Sequence, residues 1–275
     1  MKVWVDGELR DGAEAVVGAF DHGLLVGDGV FETMLAYGGE AFALGRHYAR
    51  LCRSAGVLGI DVPDEPVVRE AVSAVLEQGG ERVRITLTGG DGAPGSAKGG
   101  GKPRLIVTAT AFAGWPATTD VVVVPWVRNE RGALAGVKAT SYGENVVALE
   151  YARKRGGSEA IFGNTAGNLC EGTGSNVFVI WEGRLITPPL DSGCLAGVTR
   201  ELVLELAEEC GIEAFEEPLK LRDLGGAEEV FLTSTTREVQ PVARVDGKLV
   251  GTGDGEVAGV LGSAYQALVR RSIDP

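Results

Sequence analysis

The chain is poor in the side chains that hold metals or polyanions. It has two histidines, His22 and His47, and four widely spaced cysteines, Cys52, Cys170, Cys194 and Cys210, with no CxxC pair among them. That pattern supplies neither a metal-ligand cluster nor a disulfide framework, and the thiols are expected to be buried and reduced. Neither histidine lies near a G-x-S-x-G elbow, which argues against Ser-His-Asp hydrolysis. Lysines and arginines number 26 against 38 aspartates and glutamates, a formal charge of −12. Nucleic acids and anionic membranes need clustered cations to offset their phosphates, so neither partner is expected, and the charge serves solubility. No apolar run approaches the ~18 residues of a membrane span. The amino end, MKVWVDGELR, lacks the basic and apolar regions of a signal peptide, and the expected location is cytoplasmic. The glycine-rich stretch GGDGAPGSAKGGG, from Gly89 to Gly101, contains no GxxxxGK[ST] pattern and leads into a strand, so it reads as a flexible hairpin covering a site, not a nucleotide loop.

What is present suits a soluble globular protein, with 44% apolar and 23% charged residues over 275 positions. KVWVDGELR reads as a hairpin turning at Asp6-Gly7, and VFETMLAYGGEAFAL as a second turning at Gly38-Gly39. Two helices follow, with apolar stripes Tyr48, Leu51, Cys52, Ala55, Leu58 and Val68, Ala71, Val72, Val75, Leu76. RVRITLT and RLIVTATA are further strands. Gly114 and Pro116 break the pattern near AFAGWPATTD, which places an N-terminal α+β domain at 1–112, a linker at 113–119 and a C-terminal domain at 120–275. In the second part DVVVVPW, SEAIFG, NVFVIW, RLITP, EEVFLTS and QPVARV are short strands. Three helices accompany them: one after Lys138, TRELVLELAEECG, and VAGVLGSAYQALVRR. Few helical crossovers join these strands, which predicts a barrel-like mixed sheet.

Several segments can carry chemistry. Lys138 lies before a predicted amphipathic helix whose apolar residues are Val146, Val147, Leu149 and Tyr151, with Glu150 and Lys154 paired at its surface. It is either a snorkelling lysine or an amine whose burial frees the lone pair for imine chemistry. LCEGTGSNVFVI sets Glu171 in a small-residue turn before an apolar strand. CLAGVTRELVLEL puts Gly197, Val198 and Thr199 at a helix start, where Thr199 can cap and free N–H groups favour an anion. LTSTTREVQPV adds the hydroxyls of Ser234, Thr235 and Thr236. A lysine, a carboxylate and an anion cradle are what a pyridoxal phosphate site requires.

The chain from about Val5 to Val245 resembles the class IV, fold-type-IV pyridoxal phosphate enzymes, which include branched-chain and D-amino acid aminotransferases and aminodeoxychorismate lyase. The resemblance rests on GDGVFET (27–33), HYARL (47–51), AGVKATSY (135–142), EGTGSNVF (171–178), TPPL (187–190), CLAGVTR (194–200) and EEVFLTSTTREVQPV (228–242), in family order and spacing. It implies a smaller α/β sandwich-like N-terminal domain and a larger C-terminal pseudo-barrel domain that bears the Schiff-base lysine, assembled as a homodimer. It implies that Lys138 forms the internal aldimine with pyridoxal 5'-phosphate and shuttles the proton. Arg50, the backbone of Val198 and Thr199, and Thr235 with Thr236 or Ser234 would bind the phosphate. Glu171 would pair with the pyridine nitrogen, and Tyr142 would lie near the phenolic oxygen. No metal is implied.

Substrate residues are less well marked. The tyrosine and arginine of branched-chain enzymes align with Val26 and Leu35, and the D-amino acid enzymes' arginine near Thr88 is missing. Phe31, Thr33, Leu35, Thr88, Gly89 and Gly90 form a largely apolar lining, with Arg128 and Arg131 as candidate carboxylate binders. The expected activity is amino exchange between an amino acid, a D-amino acid by preference, and a 2-oxo acid. The alternative is release of pyruvate and p-aminobenzoate from 4-amino-4-deoxychorismate.

Overall fold

The computed structural model describes residues 1–251 and 255–275, which cluster into two compact units. The first comprises Met1–Ala113, Val137–Tyr142 and Arg271–Pro275. Strands β1 (Lys2–Val5) and β2 (Glu8–Asp11) form the first hairpin. Asp6 and Gly7 both have positive φ, 49° and 98°, as a two-residue turn matched to strand twist requires. After the short α1 (His22–Leu25) come β3 (Gly29–Tyr37) and β4 (Glu40–Ala41), which turn at Gly38 and Gly39 as expected. Helices α2 (Leu44–Leu58) and α3 (Glu65–Leu76) follow, then β5 (Arg82–Thr88) and β6 (Arg104–Thr110). The six strands pair in the order β2-β1-β6-β5-β3-β4, and every pairing is antiparallel. Val30, Met34, Ile85 and Val107 pack with Leu51, Val68 and Val75 in a core shared by the sheet and the two helices.

Helix α3 buries all five residues of its predicted stripe. Helix α2 departs from its own. Leu51 and Ala55 are buried, but so are His47, Arg50 and Ser54, while Tyr48 and Leu58 lie at the edge of the core. A charged row is tolerated inside because β3 supplies an ionic partner to it. The segment Val137–Tyr142, assigned from sequence to the C-terminal domain, clusters with the first unit. Phe31 N–H donates to the Lys138 carbonyl at 3.0 Å and Thr140 N–H to the Gly29 carbonyl at 2.8 Å, which makes the segment a short addition to β3.

The second unit comprises Gly114–Gly136 and Gly143–Arg270. Its strands are β7 (Thr119–Arg128), β8 (Glu159–Asn164), β9 (Leu169–Gly172), β10 (Asn176–Trp181), β11 (Arg184–Thr187), β12 (Ala214–Glu216), β13 (Glu229–Ser234), β14 (Glu238–Val245) and β15 (Lys248–Leu249). They form one mixed sheet, β12-β11-β10-β13-β14-β7-β8-β9, with β15 on β14. Its parallel pairs are β11/β12, β14/β7 and β7/β8. This is the mixed sheet expected, curled into a half-barrel. Glu171 sits in β9, a strand, not in the predicted turn. The helices are α4 (Gly143–Arg153), α5 (Val198–Glu209) and α6 (Glu256–Arg271), whose last residue belongs to the first unit.

Helix α4 keeps only part of its predicted face: Tyr151 packs against the core and Leu149 is half-buried, but the two valines turn outward. It buries Asn145, Ala148 and Ala152, whereas Val146 and Val147 are 66% and 54% exposed. The alanines let α4 approach Val122, Val124, Ala160 and Phe162 closely, which side chains the size of valine do not permit. The Glu150–Lys154 pair forms at 3.3 Å. Cys170 and Cys194 are buried, Cys52 is half-buried and Cys210 is exposed, so the expectation of buried thiols fails at Cys210, where α5 ends. Among the described residues no group of side chains can hold a metal, and no helix is long and apolar enough to cross a membrane.

Candidate active site

In the first unit the side chains of alternate β3 residues divide two chemistries. Glu32 faces α2, fully buried, and its carboxylate accepts from Arg50 Nε at 2.8 Å, Arg50 Nη2 at 2.7 Å and His47 Nδ1 at 2.7 Å. Burial alone would raise the Glu32 pKa, but the Arg50 charge and the hydrogen bonds from Arg50 and His47 outweigh it and hold the carboxyl far below its usual range. Burial pushes the His47 imidazole down, against the opposing pull of Glu32. The Nε/Nη2 edge of the guanidinium expected to grip a phosphate is thus turned to Glu32.

Phe31 and Thr33 occupy the other face. Lys138 Nζ lies 4.5 Å from the Phe31 ring centroid, and its backbone N–H donates to Ser54 Oγ at 3.2 Å. Tyr142 meets the same ring edge-on at 5.0 Å. The sequence reading missed Arg84, whose guanidinium lies 3.8 Å from the Phe31 centroid. Arg84 is opposite Thr33 in the β3/β5 register, so both side chains stand on one face. Thr88 turns its hydroxyl to Asp21 at 2.8 Å instead of outward. The glycine-rich 89–101 loop is pinned, not loose: His22 Nε2 contacts the Ala93 carbonyl at 2.9 Å, and Lys98 meets both carboxylate oxygens of Asp28 at 2.8 Å.

In the second unit Glu171 receives Arg128 Nε on Oε1 at 3.2 Å and the Leu195 N–H on Oε2 at 2.9 Å. Arg128, expected to bind a substrate carboxylate, therefore points at a carboxylate of its own chain. Arg131 is exposed. At the start of α5 the cap position is Gly197, not Thr199, and Thr199 is the second helical residue, hydrogen-bonded through its side chain to Tyr265. The first N–H groups of a helix have no intrahelical partner, and an anion suits them. A Cβ on Gly197 would stand 2.0 Å from Asn176 Oδ1, so this approach needs glycine. Thr235 and Thr236 are half-buried in the turn after β13, where Ser234 Oγ is already engaged by the Arg237 N–H at 3.1 Å.

Buried Glu159 ties two of these segments together. It accepts from the Thr173 N–H at 3.0 Å, from the Thr173 hydroxyl and from Ser175 Oγ at 3.0 Å, and it faces Arg237 Nε at 3.8 Å. Arg237 in turn holds Gln240 and the Ser158 carbonyl, with its guanidinium 4.0 Å from the Trp115 centroid. No local pattern marks Glu159 in the sequence, because the side chains it engages, Thr173, Ser175 and Arg237, are 14 to 78 positions away along the chain.

The amino-transferase class IV family model matches residues 29–245. A Methanocaldococcus jannaschii protein provisionally named a branched-chain-amino-acid aminotransferase is 36% identical over 272 residues, covering 91% of this chain and 90% of that one. The D-alanine aminotransferase of Bacillus licheniformis is 31% identical, covering 99% and 97%. The branched-chain amino acid aminotransferase of Escherichia coli superposes with a TM-score of 0.91 at 30% identity, covering 97% and 94%. The chain belongs to the class IV aminotransferases, with the fold-type-IV architecture and the pyridoxal phosphate cofactor of that family. Each unit by itself holds groups whose chemistry fits the cofactor. In the first, Lys138 is an amine beside an aromatic face. In the second, Glu171 is a carboxylate held by Arg128 and the Leu195 N–H, and the start of α5 offers N–H groups with glycine-only clearance. Thr233, at the head of the following turn, keeps a buried hydroxyl without a hydrogen-bond partner among the described residues.

Proposed function

We propose that the protein is a transaminase that moves an amino group from an amino acid to a 2-oxo acid, with Lys138 as its catalytic amine. When bound, pyridoxal phosphate supplies the carbonyl that captures the amino group and the ring that absorbs electrons. Lys138 supplies the nucleophilic amine and carries the proton. Glu171 holds a negative charge for the ring nitrogen. The N–H groups of Val198 and Thr199 and the hydroxyls of Thr235 and Thr236 would hold the phosphate, with Arg50 adding its positive charge. Tyr142 presents its phenol on the Phe31 side of Lys138.

The observation that carries the substrate reading is the pair of cations on one ring, Lys138 Nζ at 4.5 Å and Arg84 Cζ at 3.8 Å from the Phe31 centroid. A lysine that would hold the cofactor's carbonyl carbon and a guanidinium suited to a carboxylate, set on the same ring, match the amino and carboxylate ends of an amino acid. Val26 and Leu35 add no polar group. On that ground D-alanine or another D-amino acid is the proposed donor, in a homodimer located in the cytoplasm. Single half-reactions with each enantiomer test this by the rate at which the bound cofactor becomes its amine form. Faster conversion by L-leucine or L-glutamate rejects the D-preference. Inertness to all amino acids, with pyruvate released from aminodeoxychorismate, makes the protein the lyase.

A further inference from the structure

Arg128 ends β7 with its side chain only 16% exposed and its polar contacts made within the second unit. Nε donates to Glu171 Oε1 at 3.2 Å, Nη2 to Asn145 Oδ1 at 2.7 Å and Nη1 to Glu144 Oε2 at 3.4 Å. The guanidinium plane lies over Phe162, 4.1 Å from its centroid. Asn145 is itself fixed, since its amide donates to the Thr173 carbonyl. Each edge of the guanidinium is therefore spoken for by α4 or β9, and the flat face by β8. A guanidinium so constrained cannot swing to follow a substrate and keep these contacts.

We propose that Arg128 is a positioning residue that sets the charge and aim of Glu171, and that it is not a binder of substrate carboxylate. The proposal rests on the assignment of Glu171 to the ring nitrogen of pyridoxal phosphate. The physical reason is a competition for one proton. A carboxylate facing a protonated ring nitrogen can accept its hydrogen bond or take the proton outright. A cation 3.2 Å from Oε1 favours the ionised carboxylate, so the proton stays on nitrogen, where it makes the ring a better electron sink. The Leu195 N–H on Oε2 acts in the same sense and fixes the carboxylate plane.

The test uses full-length holoenzyme carrying Arg128→Met, Arg128→Lys or Asn145→Ala. The pH titration of the visible band of the cofactor–lysine link is recorded beside kcat and KM for the amino donor. For Arg128→Met we expect kcat to fall about 10- to 100-fold, the order of loss when an outer-shell partner that orients a functional group is removed. KM should change less than about threefold, and the midpoint of the band's titration should move. Arg128→Lys should recover part of both effects. Asn145→Ala, which frees Nη2 but keeps the cation, should shift the midpoint in the same direction by less, and it serves if Arg128→Met does not fold. A KM raised tenfold or more with kcat and the titration unchanged overturns the proposal and returns Arg128 to the substrate. So does an Arg128→Met enzyme indistinguishable from wild type. A wild-type protein lacking the visible band altogether overturns the cofactor assignment, and this proposal with it.

Discussion

Glu32 grips Arg50 through two hydrogen bonds, 2.8 Å to Nε and 2.7 Å to Nη2, with both side chains buried between β3 and α2. This sets a buried ion pair on the helix face that would otherwise be apolar, and the same helix reaches the lysine-bearing segment through Ser54, whose Oγ accepts from the Lys138 N–H.

Removing the acid from this pair leaves a buried, uncompensated guanidinium. Glu32→Ala should cost roughly 3–5 kcal/mol, the range for breaking a buried pair by deleting one partner, read as a lower denaturant midpoint. Because the folded-state pKa of Glu32 is depressed, its contribution is present above the unfolded carboxylate pKa and is lost as pH falls below it. Tm should therefore fall on acidification from about pH 4.5, and less steeply in Glu32→Gln. A Glu32→Gln protein with the wild-type slope would show that other carboxylates govern acid unfolding.

Borohydride reduction of the holoenzyme, followed by peptide mapping, should place the cofactor on Lys138. The protein should be yellow, and Lys138→Ala should lose the covalent link. A label on another lysine refutes the assignment.

Glu171→Gln should spare cofactor retention more than turnover. The neutral amide keeps a hydrogen-bonding group but cannot hold the ring nitrogen's proton by charge, so the rate should fall by some orders of magnitude. Near-normal turnover with wild-type cofactor affinity would make the carboxylate structural only.

Gly197→Ala tests the α5 cradle. The added methyl meets Asn176 Oδ1 at 2.0 Å and Arg200 Cβ at 3.3 Å, so the loop before the helix must shift. Cofactor affinity should weaken about tenfold, a loss of about 1.4 kcal/mol, measured by equilibrium dialysis. Unchanged affinity would show that the cradle tolerates the shift.

Sedimentation should give twice the chain mass. Phe20 and Leu24, 60% and 68% exposed in the first unit, are candidates for the covered surface. Phe20→Asp with Leu24→Asp should raise the monomer fraction, and full activity of a proven monomer counts against the homodimer.

Hairpins, the stripe of α3 and the motif order were legible along the chain, because each depends on residues within a few positions of one another. The Gly38-Gly39 turn follows from backbone permissiveness, and Val68 to Leu76 from helical period. So does the family: matched motifs spread over residues 29–245 need no coordinates to be recognised.

Tertiary structure decided the ion pairs and the faces. The sequence marked Arg50 and Arg128 as ligand candidates but not their partners: β3 brings Glu32 against Arg50, and β7 and β9 bring Glu171 against Arg128 across 43 positions of sequence. Val146 and Val147 looked like core, but the sheet selected Ala148 and Ala152 because only small side chains let α4 lie close. Arg84 reaches Phe31 through strand register, and a slip of one residue would turn it to the opposite face. Periodicity and turn chemistry are local and survive in one dimension. The partner of a buried charge is chosen by which distant strand packs beside it, and the amino-acid order alone does not encode that choice in any readable pattern.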